Sequence, residues 1–175
     1  NFASRSFTKA MSRSLSIALV GVGYWGKKLL PKFLGAVDCA VKTVVDLHED
    51  NRAYVHQNFP GIPTSASLSE VLGRPDIDGV VIATPPATHF ALAIKALEAS
   101  KHVWIEKPLA LRLEEGQALV REARAKGVVL FVDHTFLYDD AIRAIRELIV
   151  GGELGRLYHV FSHRLNLGRI KRDSN

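Results

Sequence analysis

Residues 16–26 read Ser-Ile-Ala-Leu-Val-Gly-Val-Gly-Tyr-Trp-Gly, and this stretch restricts the possible folds more than any other. An apolar run at 17–20 stops at Gly21, Gly23 and Gly26 complete a G-x-G-x-x-G spacing, and 27–34 carries a helical pattern. Strand, glycine turn and helix in that order make the phosphate-binding start of a dinucleotide site. Gly21 permits a tight turn, Gly23 lets a pyrophosphate approach the backbone, and Gly26 lets the helix lie close to the strand. The helix N-terminus then directs N–H groups and a positive dipole at the phosphates. Glycine clusters are also ordinary turn punctuation. The second apolar run, 41–45, makes the difference: it ends in Asp46, twenty residues past Gly26, where an acid accepts bonds from adenosine ribose hydroxyls.

Further along, 48–58 reads as a helix stopped by Pro60-Gly61, 62–66 as a short strand and 67–72 as a short helix. In that helix Ser67 is the expected cap, with Glu70 completing a capping box. Residues 79–83 are continuously apolar, the mark of a strand buried on both faces, and Thr84-Pro85-Pro86 ends it. A helix over 88–99, a strand over 102–105 closed by Glu106-Lys107-Pro108, a helix over 113–126 closed by Gly127, and a sixth strand over 128–132 follow. Strands alternating with helices in this way predict an α/β fold with a doubly wound parallel sheet, the Rossmann arrangement, whose ligand lies along the strands' C-terminal ends. Gly21, Asp46, Thr84, Glu106 and Asp133 all fall at such ends.

After residue 133 the rhythm changes. A helix over 139–150 and a glycine-rich turn lead into a long strand with alternating pattern over 156–165. A lone strand leaves a row of backbone donors and acceptors unpaired, so it must meet strands from elsewhere. The expected organisation is a leader or disordered tail at 1–13, a dinucleotide-binding domain at 14–133, and the first helix and strand of an α+β domain at 134–175.

Composition narrows the partners. No apolar run approaches the roughly 20 residues needed to span a bilayer, and Cys39, the single cysteine, fits a reducing compartment. The net charge of +5 suggests nucleic acid until it is located. Arg5, Lys9 and Arg13 precede Ser14 with no acid, and Arg164, Arg169, Lys171 and Arg172 face only Asp173 at the other end, so the body between is near neutral. Neither nucleic acid nor membrane is expected as a partner. Residues 1–13, with serines, basic residues and no acid, have the character of a transit-peptide remnant, a leader or a tail. The expected compartment is the cytoplasm, or the mitochondrial matrix if that segment is a remnant.

In these motifs the chain resembles the Gfo/Idh/MocA oxidoreductases, the glucose-fructose oxidoreductase and inositol dehydrogenase family. The matching residues are Val20-Gly21-Val22-Gly23-Tyr24-Trp25-Gly26, the strand over 76–86 with His89 after it, Lys101-His102-Val103-Trp104-Ile105-Glu106-Lys107-Pro108, and Gly152-Glu153-Leu154-Gly155. The resemblance implies hydride transfer between a nicotinamide and a carbinol carbon of a sugar, cyclitol or sugar nucleotide. It implies Lys107 as the catalytic lysine, polarising the substrate hydroxyl from a partly desolvated position near Glu106. By the same matching, His89 participates directly or flanks the cofactor, as do Thr84 and Pro85, with Tyr24, Trp25 and His134 facing the same cleft. Asp46 favours NAD over NADP, because a carboxylate repels a 2′-phosphate; Arg52 nearby weakens that preference. His159 and His163 would lie roughly 13 Å apart on a strand, so no metal site is expected. Family members run longer than this sequence, which stops before their aspartate-to-histidine acid/base motif. The expectation is therefore a truncated oxidoreductase; the alternatives are a non-catalytic subunit, whose last strand pairs with a partner or a second copy, and a free-standing NAD-binding domain.

Overall fold

The computed structural model describes residues 14–163 and Leu165. The expected leader at 1–13 and the end of the chain lie outside the described residues. The chain divides into two units, one ending at Val132 and one beginning at Asp133.

The first unit is a six-stranded, wholly parallel sheet in the order β3-β2-β1-β4-β5-β6. Its strands are β1 (Leu15–Val20), β2 (Cys39–Val45), β3 (Thr64–Ser65), β4 (Gly79–Ile82), β5 (His102–Ile105) and β6 (Leu130–Val132). The crossovers carry helices α1 (Gly26–Leu34), α2 (Glu49–Asn58), α3 (Leu68–Leu72), α4 (His89–Glu98) and α5 (Leu113–Lys126). This is the doubly wound fold expected from the sequence. Side chains alternate across each strand, and in the central strands β1 and β4 both sets are mainly apolar. Ile17, Leu19 and Val81 pack with Leu30 of α1 and Val55 of α2, while Ala18, Val20 and Ile82 pack with Ala93 and Leu97 of α4 and Leu119 of α5. The order reverses between β1 and β4, which pair from Ile17↔Gly79 to Val20↔Ile82, so their C-terminal ends open side by side.

Edges and ends depart from the sequence reading for local reasons. At the β6 edge, Gly127 takes a left-handed conformation (φ 66°) and Val128 N–H caps α5 on Ala123 O, so the strand starts at Leu130 rather than 128. At the other edge, β3 keeps only the residues that pair with Val44 and Val45. Ser67 caps α3 by accepting from Glu70 N–H (3.4 Å), but the Glu70 carboxylate takes Ser65 Oγ (2.8 Å) instead of closing the box. Before β4, Arg74 and Asp76 make an exposed ion pair that holds the Asp76 carboxyl below its usual range.

In the second unit a 3-10 turn (Thr135–Tyr138) precedes α6 (Asp140–Val150), capped by Asp139, whose Oδ1 accepts from Ala141 and Ile142 N–H. Ile142, Ile145, Leu148 and Ile149 form an apolar stripe on α6 and are 38–49% exposed. Of the strand expected over 156–165, the described residues 156–163 have no ladder and are exposed; Arg164 lies outside the described residues. A strand exists only through pairing, and the described residues bring no neighbour to this segment. Its alternation persists, since His159, Phe161 and His163 sit ring against ring at 4.6 and 6.1 Å.

Leu30 is fully buried where α1 meets β1. Leu30→Ala is expected to cost about 2–5 kcal/mol, read as a lower urea midpoint with an unchanged slope; an unmoved midpoint would show that α1 is not docked.

Candidate functional site

The site grows from the junction of β1 and α1. Gly21 has φ 90°, and a Cβ there would lie 2.7 Å from Thr84 Cγ2 and 3.0 Å from Thr84 N, so the turn rests on the end of β4. A Cβ on Gly26 would lie 1.9 Å from the Gly21 carbonyl oxygen, so no other residue lets α1 start where it does. Gly23 is exposed, and a Cβ there would meet nothing within 4 Å. Two glycines are therefore set by protein contacts and the third faces open space.

The electrostatics of this end are unlike a helix satisfied by its own side chains. The first turn of α1 has no acid and carries Lys27 and Lys28, whereas α2, α5 and α6 each place acids in their first turn. Cations add to the positive end of the helix dipole, which an anion would neutralise.

Asp46, directly after β2, is nearly buried. Its Oδ2 accepts from Val22 N–H (2.7 Å) and Asn51 Nδ2 (3.1 Å), and its Oδ1 from His48 N–H (2.9 Å). The carboxylate thus ties β2 to the glycine turn, and Oδ1 keeps acceptor capacity for a hydroxyl. Arg52 Nη1 donates to the carbonyls of Asp46 (2.7 Å) and Leu47 (2.9 Å), holding the guanidinium at the strand end. Tyr24 and Trp25 are half exposed, edge to face at 5.3 Å, with Lys28 Nζ bonded to Tyr24 Oη (2.8 Å).

The ends of β4 and β5 supply the remainder. Thr88 Oγ1 donates to Pro85 O (2.8 Å) and bonds Thr84 Oγ1 (2.7 Å). Glu106 is buried, its N–H on Ile82 O (2.9 Å). Lys107 is exposed, with Nζ 5.9 Å from the Trp25 ring centroid, so this unit alone does not desolvate it as expected. His89 has no exposed surface, and its ring nitrogens face the carbonyls of Pro108 and Thr84, so it presents no open face to a ligand. His134 belongs to the second unit, where its carbonyl accepts from Leu137 N–H. The sequence reading missed Asn51, Thr88 and the Pro108 carbonyl; Thr88, four residues past Thr84 at the foot of a helix, was the readable signal.

A separate groove of about 460 Å³ lies along α5 between Leu109 and Arg124 and shares no residue with the glycine turn. Among the described residues no three His, Cys, Asp or Glu side chains gather to hold a metal ion, and no helix is long and apolar enough to cross a membrane.

Open space at Gly23, a cationic helix start and an acid at the end of β2 fit a dinucleotide. Comparison with known proteins agrees. Residues 15–134 match the model of Gfo/Idh/MocA, described as an oxidoreductase family with an NAD-binding Rossmann fold. The chain is 29% identical over 141 residues to a scyllo-inositol 2-dehydrogenase (NADP(+)) of Bacillus subtilis, covering 81% of this chain and 39% of that one. It is 40% identical over 87 residues to a scyllo-inositol 2-dehydrogenase (NAD(+)) of the same organism, covering 50% and 25%. The crystal structure of the WlbA dehydrogenase from Bordetella pertussis, in complex with NADH and UDP-GlcNAcA, superposes with a TM-score of 0.78 at 28% identity, over 84% of this chain and 42% of that one. The chain thus spans less than half the length of these relatives.

Asp46→Asn swaps one acceptor oxygen for a donor that faces main-chain N–H groups. It is expected to cost about 1–3 kcal/mol of stability in the absence of any ligand, measured by urea unfolding. An unchanged midpoint would mean that the bonds to Val22 and His48 do not hold the turn.

Proposed function

Because the chain belongs to the Gfo/Idh/MocA oxidoreductases, with their NAD-binding Rossmann fold, we propose that it is the nucleotide-binding part of an NAD-dependent dehydrogenase. Its reaction moves hydride between nicotinamide and a carbinol carbon of a sugar, cyclitol or sugar nucleotide. The observation that carries this reading is the Asp46 carboxylate bonded to Val22 N–H at 2.7 Å beside the open face at Gly23, a ribose acceptor built into the phosphate turn. The turn and the start of α1 hold the pyrophosphate, with Lys27 and Lys28 adding charge. Asp46 Oδ1 accepts a ribose hydroxyl, and its charge opposes a 2′-phosphate. Arg52, already drawn to two carbonyls, tempers that preference rather than reversing it. Bound nicotinamide supplies the hydride acceptor or donor.

The exposed ammonium of Lys107, 5.9 Å from the Trp25 ring centroid, donates a hydrogen bond to the substrate hydroxyl oxygen and polarises it. Residues 134–175 open the substrate domain. The exposed stripe of α6 and the run after it, which has no ladder among the described residues, support that assignment, because each has a face suited to packing or pairing with a sheet.

Energy transfer from Trp25 and Trp104 to a reduced nicotinamide reads binding directly. NADH is expected to bind at least about tenfold more tightly than NADPH, and Asp46→Ala to narrow the gap; equal affinities in the unaltered chain would remove Asp46 as the selector. In the full-length native protein, Lys107→Ala is expected to leave NADH affinity within about twofold and to lower turnover about 100-fold or more. An unchanged rate would overturn the lysine's role.

A further inference from the structure

His89 is the first residue of α4, is 0% exposed, and spans two turns that are distant in sequence. Its Nε2 lies 2.9 Å from the carbonyl oxygen of Thr84, at the end of β4, and its Nδ1 lies 2.7 Å from that of Pro108, just past β5. Carbonyl oxygens only accept, so each contact is a hydrogen bond only if the ring nitrogen facing it carries a proton. A ring with one proton makes one bond and turns a lone pair toward the other carbonyl. Among the described residues no buried side-chain nitrogen or oxygen lacks a partner, so nothing else on this ring is left to satisfy.

We propose that His89 is a positioning residue, a doubly donating clip that fixes the Glu106-Lys107-Pro108 turn against the Thr84-Pro85 turn and so sets where the Lys107 ammonium stands. The consequence for turnover rests on the role given to Lys107 above; the clip itself does not. Pro108 follows Lys107 directly, and Lys107 Nζ sits 5.9 Å from the Trp25 centroid, near the limit of a useful cation–π contact. The backbone that the clip fixes is thus the one from which the lysine stem leaves.

Two nuclear magnetic resonance measurements on the whole chain without cofactor test this. With 15N-labelled histidine, assigned by the signal lost in His89→Gln, both ring nitrogens of His89 are expected to show the shifts of nitrogens that bear a proton; one nitrogen with a lone-pair shift would overturn the proposal. The chain has two tryptophans, Trp25 and Trp104, so the indole N–H region holds two peaks. Lys107→Ala and His89→Phe are expected to displace the Trp25 peak in the same direction, and the double variant no further than either. Independent, additive displacements, or an unmoved Trp25 peak in His89→Phe with the Trp104 peak in its native place, would refute the link to Lys107. If His89→Phe fails to fold, the ring-nitrogen measurement on the unaltered chain still decides. Failure to bind NADH would defeat the proposed function and leave both results standing.

Discussion

Everything at the ligand end of the sheet depends on how closely α1 approaches the turn that feeds it. The Gly21 carbonyl occupies the space where any side chain on Gly26 would begin, so helix, turn and β1 form one rigid corner. The same turn is held from a second side by Thr84, against Gly21, and from a third by Asp46, through Val22 N–H. Three neighbouring strand ends thus converge on six residues of backbone. Such a turn needs no ligand to hold its shape, and a preformed site does not spend binding energy on ordering itself.

That corner also concentrates charge of one sign. A helix whose first turn carries lysines gives up the stabilisation that the acids of α2, α5 and α6 provide. Two lysines at the positive end of a helix are unfavourable for the protein alone and become favourable with an anion beside them. Asp46 is the counterweight: a nearly buried carboxylate next to the cationic end, stabilised by three donors. It braces the turn from the end of β2.

How much of this was legible follows from whether the information is local. The central strands announce themselves, because burial on both faces demands an unbroken apolar run, and 79–82 offers nothing else. The glycine spacing and the acid twenty residues on are likewise readable, since each has one steric or chemical purpose. What the sequence hides is whatever needs a distant partner. His89 as a letter suggests a reactive group; only the approach of Thr84 and Pro108 to its two nitrogens makes it a brace. Asp46 as a letter suggests a ribose ligand; that it also grips Val22 is a fact about the sheet. The 156–165 run has the alternation of a strand but no ladder, because pairing is a property of two segments and a sequence shows one.

The second unit makes the same point from the opposite direction. An isolated 11-residue helix is marginal in water and is stabilised in proteins by burying its apolar face. Asp139 caps α6 well, yet its stripe of Ile142, Ile145, Leu148 and Ile149 stays 38–49% exposed. A helix with a good cap and an uncovered face has the local half of its stability and lacks the tertiary half. The exposed extended run that follows is in the same position: its backbone is ready to pair and its alternate side chains already share a face. Among the described residues, then, two adjacent elements are short of the same kind of partner. The Rossmann unit, by contrast, has both faces of its sheet covered and its turns braced by its own residues. Among the described residues the contrast falls at the division after Val132, with a covered sheet before it and an exposed helix face after it.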